Sequence, residues 1–123
     1  MKERTVCLDF NGVVHSYTTP WTDKYTIADG PVCGVQDSIV HLKAQGYRVV
    51  IYSARSCPEA IGEWLKIHNI EVDEICNSKP PAFVYVDDKA ITFAGNWVKT
   101  VKDIAKFTQW NKANQEPLEA DET

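Results

Sequence analysis

The chain has no stretch approaching the ~18 consecutive apolar residues of a membrane-spanning helix. Its opening decapeptide, MKERTVCLDF, carries charges but no apolar core of a secretion signal. A cytoplasmic protein with no membrane partner is therefore the expectation. The four cysteines, Cys7, Cys33, Cys57 and Cys76, form no C-x-x-C pair. A zinc site is accordingly not expected, and in a core-forming cytosolic domain the thiols are expected to stay reduced. Internal repeats, low-complexity tracts and interdomain linkers are also missing. So is a basic stripe. Of the net charge of −4, residues 111–123 account for −3, through Glu116, Glu119, Asp121 and Glu122 against Lys112, leaving −1 on residues 1–110. A near-neutral body lacks the electrostatic footprint of a nucleic-acid binder. A phosphorylated nucleic-acid end stays open as a substrate but gains no support from charge. The same split predicts one domain over residues 1–110 and an acidic, solvated tail over 111–123.

What is present is an alternation of strand and helix patterns, which predicts an α/β fold with a Rossmann-like parallel sheet flanked by helices. The first strand is expected over residues 4–9, followed by a long punctuated loop over 12–34. A helix is expected over 35–45, with Val35, Ile39 and Leu42 on one face and Gly46 at its C-terminal cap. The β-branched run RVVIY marks the second strand, over residues 47–53. Pro58 suits the first turn of the next helix, where Ile61, Trp64, Leu65 and His68 recur at helical spacing. Short strands are expected over 70–75 and 82–86, a small hairpin over 91–97 turning at Gly95, and an amphipathic helix over 98–110. Trp64, Trp97 and Trp110 are expected to serve packing.

Chemistry-bearing residues recur where these strands end, which is where open α/β sheets bind ligands. Asp9 ends the first strand, Ser53 the second, Lys79 lies in the next loop, and Asp87-Asp88 follow VYV. Two adjacent carboxylates after an apolar strand repel one another unless a cation binds. Asp9 with Asp87 and Asp88 offers the oxygen ligands that Mg²⁺ prefers. A carboxylate can also act as nucleophile through an aspartyl-phosphate. Ser53, Lys79 and the amides of the Phe10–Gly12 turn are candidates for neutralising a transferred phosphoryl group. Arg55 is open between gripping phosphate and capping its loop. His15, Tyr17 and Trp21 are open between substrate contact and packing of the loop.

The order Asp9 with Gly12, then Ser53, then Lys79, then Asp87-Asp88 resembles the haloacid dehalogenase-like (HAD) hydrolase superfamily. The resemblance spans residues 4–98. HSYTTPW, DGPVCGV, KPPAFVYVDDKAI and TFAGNW further resemble a subgroup of small phage- or bacterium-encoded hypothetical proteins. The superfamily resemblance implies a HAD-like core and a Mg²⁺-dependent phosphomonoester hydrolase. By it, Asp9 is nucleophile and metal ligand, Asn11 supplies a main-chain carbonyl to the metal, and Asp87 and Asp88 complete the metal site. Ser53 and Lys79 hold the phosphoryl oxygens, with Phe10, Asn11, Gly12, Ala54 and Arg55 lining the phosphate site.

Asn11 departs from the pattern, because phosphatases of this type carry an acid-base Asp there. Asn hydrogen-bonds but transfers no proton, and loss of such a group slows a reaction by about 10²–10⁴-fold. Three readings remain: an engineered variant that traps an intermediate, a natural slow enzyme, or a phosphate-ligand or partner-binding protein of the same fold. The short spacings from Asp9 to Ser53 and from Lys79 to Asp87 leave no room for a cap domain, so the loop over 12–34 or a second subunit would have to cover the site. A response-regulator receiver carries similar residues, but with the acidic pair first, whereas here it comes last.

Overall fold

A computed structural model of the chain describes residues 4–111; the expected tail over 111–123 lies outside them except for Asn111, which is buried against the first loop rather than solvated. Four strands form one all-parallel sheet: β1 (Arg4–Asp9), β2 (Tyr47–Tyr52), β3 (Glu74–Cys76) and β4 (Val84–Val86), in the spatial order β3-β2-β1-β4. Among the described residues three helices accompany it: α1 (Val35–Ala44), α2 (Pro58–Ile67) and α3 (Trp97–Lys106). The sheet has two open edges, β3 and β4, so it closes no barrel. Among the described residues no helix is long and apolar enough to cross a membrane.

The chain steps outward from β1 to β2 to β3 and then returns to lay β4 on the opposite flank of β1. That reversal makes the gap between β1 and β4 a topological switch point, the place where doubly wound sheets open a crevice at the carboxyl ends of their strands. The core is built on one face of the sheet. Val6, Leu8 and Phe10 from the first strand and its exit pack with Val49 and Ile51 of β2. Ile39 of α1 and Ile61, Trp64 and Leu65 of α2 close over them. Burying side chains of this size contributes about 1.5–3 kcal/mol each. Cys7 and Val50, on the opposite face, are buried as well, in keeping with two-sided burial of central parallel strands.

Caps fix the helix positions. Gly46, at φ +94°, ends α1 in the left-handed region, with its N–H donating to Lys43 O. Pro58 opens α2, and the Cys57 side chain accepts from Ala60 N at 3.4 Å. Asn69, at φ +56°, turns the chain out of α2, so that Ile70 N donates to Leu65 O and Ile70 joins the core. This is why the third strand starts at Glu74 rather than at residue 70.

The C-terminal third departs from expectation. Residues 91–97 form no hairpin, because Asn96 caps a helix: its side chain accepts from Lys99 N at 3.0 Å, and α3 begins at Trp97. The helix stops at Lys106 instead of residue 110, since Phe107 takes an extended conformation (φ −63°, ψ 136°). Of the three residues ending this segment, Gln109 is drawn into a hydrogen bond with Asp88, and Trp110 and Asn111 into hydrogen bonds with the first loop. The apolar stripe of α3, with Trp97, Val101 and Ile104, stays exposed, and among the described residues α3 packs on no other helix or strand. Of the three tryptophans expected to serve packing, only Trp64 is buried; Trp97 and Trp110 are 66% and 60% exposed. The four cysteines are unpaired.

Candidate functional site

β1 delivers Asp9 to the switch point, and β4 delivers Asp87 and Asp88 immediately past Val86. One carboxylate oxygen from each of the three lies within 4.8 Å of the others. Asp9 and Asp88 are half-buried and Asp87 is exposed. Burial, followed by the charges of Asp87 and Asp88 and a hydrogen bond to Asp88, pushes the Asp9 carboxyl up to about 8. Three carboxylates this close cannot all ionise comfortably without a cation. Hard oxygen donors fit Mg²⁺ or Ca²⁺ and disfavour softer metals.

The turn after Asp9 is tightly wound. Phe10 N donates to Tyr52 O at 3.0 Å, Gly12 N donates to His15 O at 2.8 Å, and His15 N returns to Phe10 O at 2.9 Å. Two of the three amides considered for a phosphoryl group are thus engaged within the fold, leaving that of Asn11. Gly12 adopts φ +90°, and a Cβ there would lie 2.1 Å from Asp88 Oδ2. The first loop and the acidic pair therefore meet backbone to carboxylate, which only glycine permits.

Ser53 is buried at the end of β2 and lines a cavity of about 200 Å³ together with Asp9, Asn11, Ala54, Arg55, Asp87 and Asp88. Its Oγ accepts from Arg55 N at 3.3 Å and Ser56 N at 3.1 Å. With its lone pairs so occupied, the hydroxyl proton is what Ser53 offers to a ligand. Lys79 does not line this cavity; its ammonium sits 4.4 Å over the Tyr85 ring. The lysine that does is Lys89, whose charge acts on Asp9. Phe10 is fully buried, edge-on to Trp64 at 5.2 Å and stacked on His15 at 5.4 Å, so its side chain builds the floor rather than touching a ligand.

His15 decides how Asn11 is presented. The imidazole is 3% exposed. Asp29 N donates to its Nε2 at 3.1 Å, which places the ring proton on Nδ1, and Nδ1 lies 2.7 Å from Asn11 Oδ1. Burial lowers the His15 pKa to about 4 despite the opposing pull of Asp29, so the ring is neutral at physiological pH. Asn11 Oδ1 is thereby committed as an acceptor, and its amide N–H₂ remains as the donor. Asp29 itself braces the loop, accepting from Thr19 N and Oγ1 at 2.8 Å each, while its carbonyl accepts from Trp64 Nε1 at 2.9 Å.

A second tie comes from the far end of the chain. Gln109 Nε2 donates to Asp88 Oδ2 at 3.1 Å, and Trp110 Nε1 donates to Gly12 O at 2.8 Å. Asn111 Nδ2 donates to Tyr17 O at 3.0 Å and also bonds Ser16 O. Gln109 and Asn111 are buried. Sequence reasoning missed all three. Their one visible signal is a polar-aromatic QWN triplet just past an amphipathic helix, with no periodicity to flag it.

No protein-family model matches the chain, and neither do curated proteins or solved structures.

Proposed function

We propose that this chain is a Mg²⁺-dependent phosphomonoester hydrolase with a HAD-like core and no cap domain, using Asp9 as nucleophile and running slowly because Asn11 stands at the acid-base position. The observation that carries this reading is the triad of carboxylate oxygens within 4.8 Å at the switch point, with the Ser53 hydroxyl in the same cavity. Mg²⁺ held by Asp9, Asp87 and Asp88, together with the Asn11 carbonyl, would neutralise the triad and the phosphoryl charge.

In this scheme an Asp9 carboxylate oxygen attacks phosphorus and the ester P–O bond breaks, with the electron pair leaving on the alcohol oxygen. Ser53 donates to a phosphoryl oxygen, and Arg55 and Lys89 contribute positive charge at the cavity wall. The Asn11 amide donates a hydrogen bond to the departing oxygen, but the proton itself comes from water. A second water then attacks phosphorus, releasing inorganic phosphate and regenerating the Asp9 carboxylate. Without a side-chain base, that second step is the slow one.

The alternative is a phosphate-ligand binding protein of the same fold. Its support is the buried His15, which holds Asn11 as a pure hydrogen-bond donor. Phosphate release from a broad phosphomonoester panel, measured for this chain and for Asn11→Asp with and without Mg²⁺, separates the two. The hydrolase reading predicts a gain of about 10²–10⁴-fold in the variant. Absence of hydrolysis by Asn11→Asp across the panel would leave only the binding protein.

A further inference from the structure

Beside the acidic cavity lies a second one of about 140 Å³, lined by His15, Thr19, Pro20, Trp21, Thr22, Thr26 and Ala28, with Asn11 and Tyr17 shared between the two. Asn11 lines both, so a group attached to a phosphoryl at Asp9 would reach the second cavity past Asn11. The donor amide of Asn11 therefore stands at the seam, where an ester oxygen joining the two halves of a substrate would sit. Resting on the hydrolase reading above, we infer that this second cavity receives the leaving group and that the preferred leaving group carries a single planar ring.

Three observations bear on the ring. First, two aromatic side chains, Tyr17 and Trp21, stand in a lining that also holds three threonines, and the Arg55 guanidinium lies 4.8 Å over the Trp21 ring and 5.9 Å from the Tyr17 ring. Arg55 also lines the acidic cavity. Its charge thus sits between the phosphoryl and ring positions, matched to a substrate that is anionic at one end and flat and apolar at the other. Second, the volume is close to the roughly 150 Å³ of an engineered apolar cavity that takes up benzene. That is room for one six-membered ring. Third, Tyr17 is held at φ +57°, an uncommon conformation for a bulky side chain. Asn111 fastens it there through the Tyr17 carbonyl. Backbone strain of this kind persists where surrounding contacts over-determine it, and it clusters at ligand sites. Here it fixes the wall that the two cavities share.

The test uses non-hydrolysable phosphonates with the full-length protein and Mg²⁺, followed by calorimetry. Phenylphosphonate is expected to bind about 3- to 10-fold tighter than methylphosphonate, the range of one aromatic contact, and 2-naphthylphosphonate to lose that gain. In Trp21→Ala the phenyl-to-methyl ratio falls to near one, and Trp21→Phe restores most of it. Equal affinity for phenyl- and methylphosphonate overturns the ring pocket while leaving the hydrolase reading intact. A phenyl preference that survives in Trp21→Ala overturns it as well. If neither phosphonate binds, the hydrolase reading falls and takes this inference with it.

Discussion

Gly12→Ala is the perturbation whose consequence can be worked out most fully. Gly12 sits at φ +90°, so any side chain there adopts a left-handed conformation that costs about 1–2 kcal/mol. The new methyl would also lie 2.1 Å from Asp88 Oδ2 and 2.7 Å from its Cγ. Gln109 holds the same oxygen at 3.1 Å, so relief requires Asp88 to swing out of the triad. Gly46→Ala is the matched control: φ is +94°, yet nothing lies within 4 Å of the added methyl. Both variants should therefore melt lower by roughly 4–10 °C in EDTA. Only Gly12→Ala should lose Mg²⁺ affinity, by roughly 10–100-fold, as happens when groups that orient a metal ligand are disturbed. Thermal melts in EDTA and calorimetric Mg²⁺ titrations provide both numbers. Equal Mg²⁺ affinity in the two alanine variants would refute the placement of Asp88 in a metal site against the first loop.

Three further outcomes follow from the same geometry. The Asp9 carboxyl titrates near 8 in the metal-free fold against about 3.9 in an unfolded chain. A raised acid destabilises progressively as pH rises between those values, so metal-free Asp9→Asn should melt above the parent by a margin that widens from pH 4 to 8; a constant or shrinking margin contradicts the repulsion. His15→Ala should orphan the Asp29 N–H and cost about 1–3 kcal/mol for that group before any cavity effect; denaturant unfolding measures it, and a loss under ~0.5 kcal/mol rejects the His15 bridge. Gln109→Ala should weaken Mg²⁺ by roughly 10-fold through loss of its hold on Asp88, whereas Gln109→Glu, which adds a fourth acid, should raise the demand for cation and steepen the dependence of melting on Mg²⁺.

Where the sequence was legible, local chemistry and periodicity agreed. β1 ends at Asp9 because an apolar run meets a turn, α1 ends before Gly46, and α2 opens at Pro58; each boundary has one physical cause that lies within a few residues of it. The convergence of Asp9, Ser53, Asp87 and Asp88 was legible for a related reason: parallel strands put their carboxyl ends on one edge whatever the loops between them do. The substitution of Lys89 for Lys79 in the cavity wall was not legible, since which of two loop lysines turns inward depends on the tertiary path of residues 77–90. The Gln109–Asn111 tie was hidden more deeply. Gln109 bonds Asp88, 21 positions away, while Trp110 and Asn111 bond the first loop 94 to 98 positions away, and polar side chains that bond so far along the chain leave no pattern near themselves. The same pull unwound the end of the helix that periodicity extended to residue 110. At 91–97 the sequence signal was present but ambiguous: Gly95-Asn96 serves a hairpin turn and a helix cap equally well, and the cap prevailed.

As proposed, Asp9 takes up a phosphoryl group and, lacking an acid-base partner at Asn11, gives it up slowly. Incubation with a reactive phosphomonoester and Mg²⁺, an acid quench and peptide mass spectrometry test this directly. A hydroxylamine-labile phosphoryl adduct on Asp9, abolished by EDTA and absent from Asp9→Asn, is expected. No adduct, or an adduct on another residue that survives in Asp9→Asn, would contradict it.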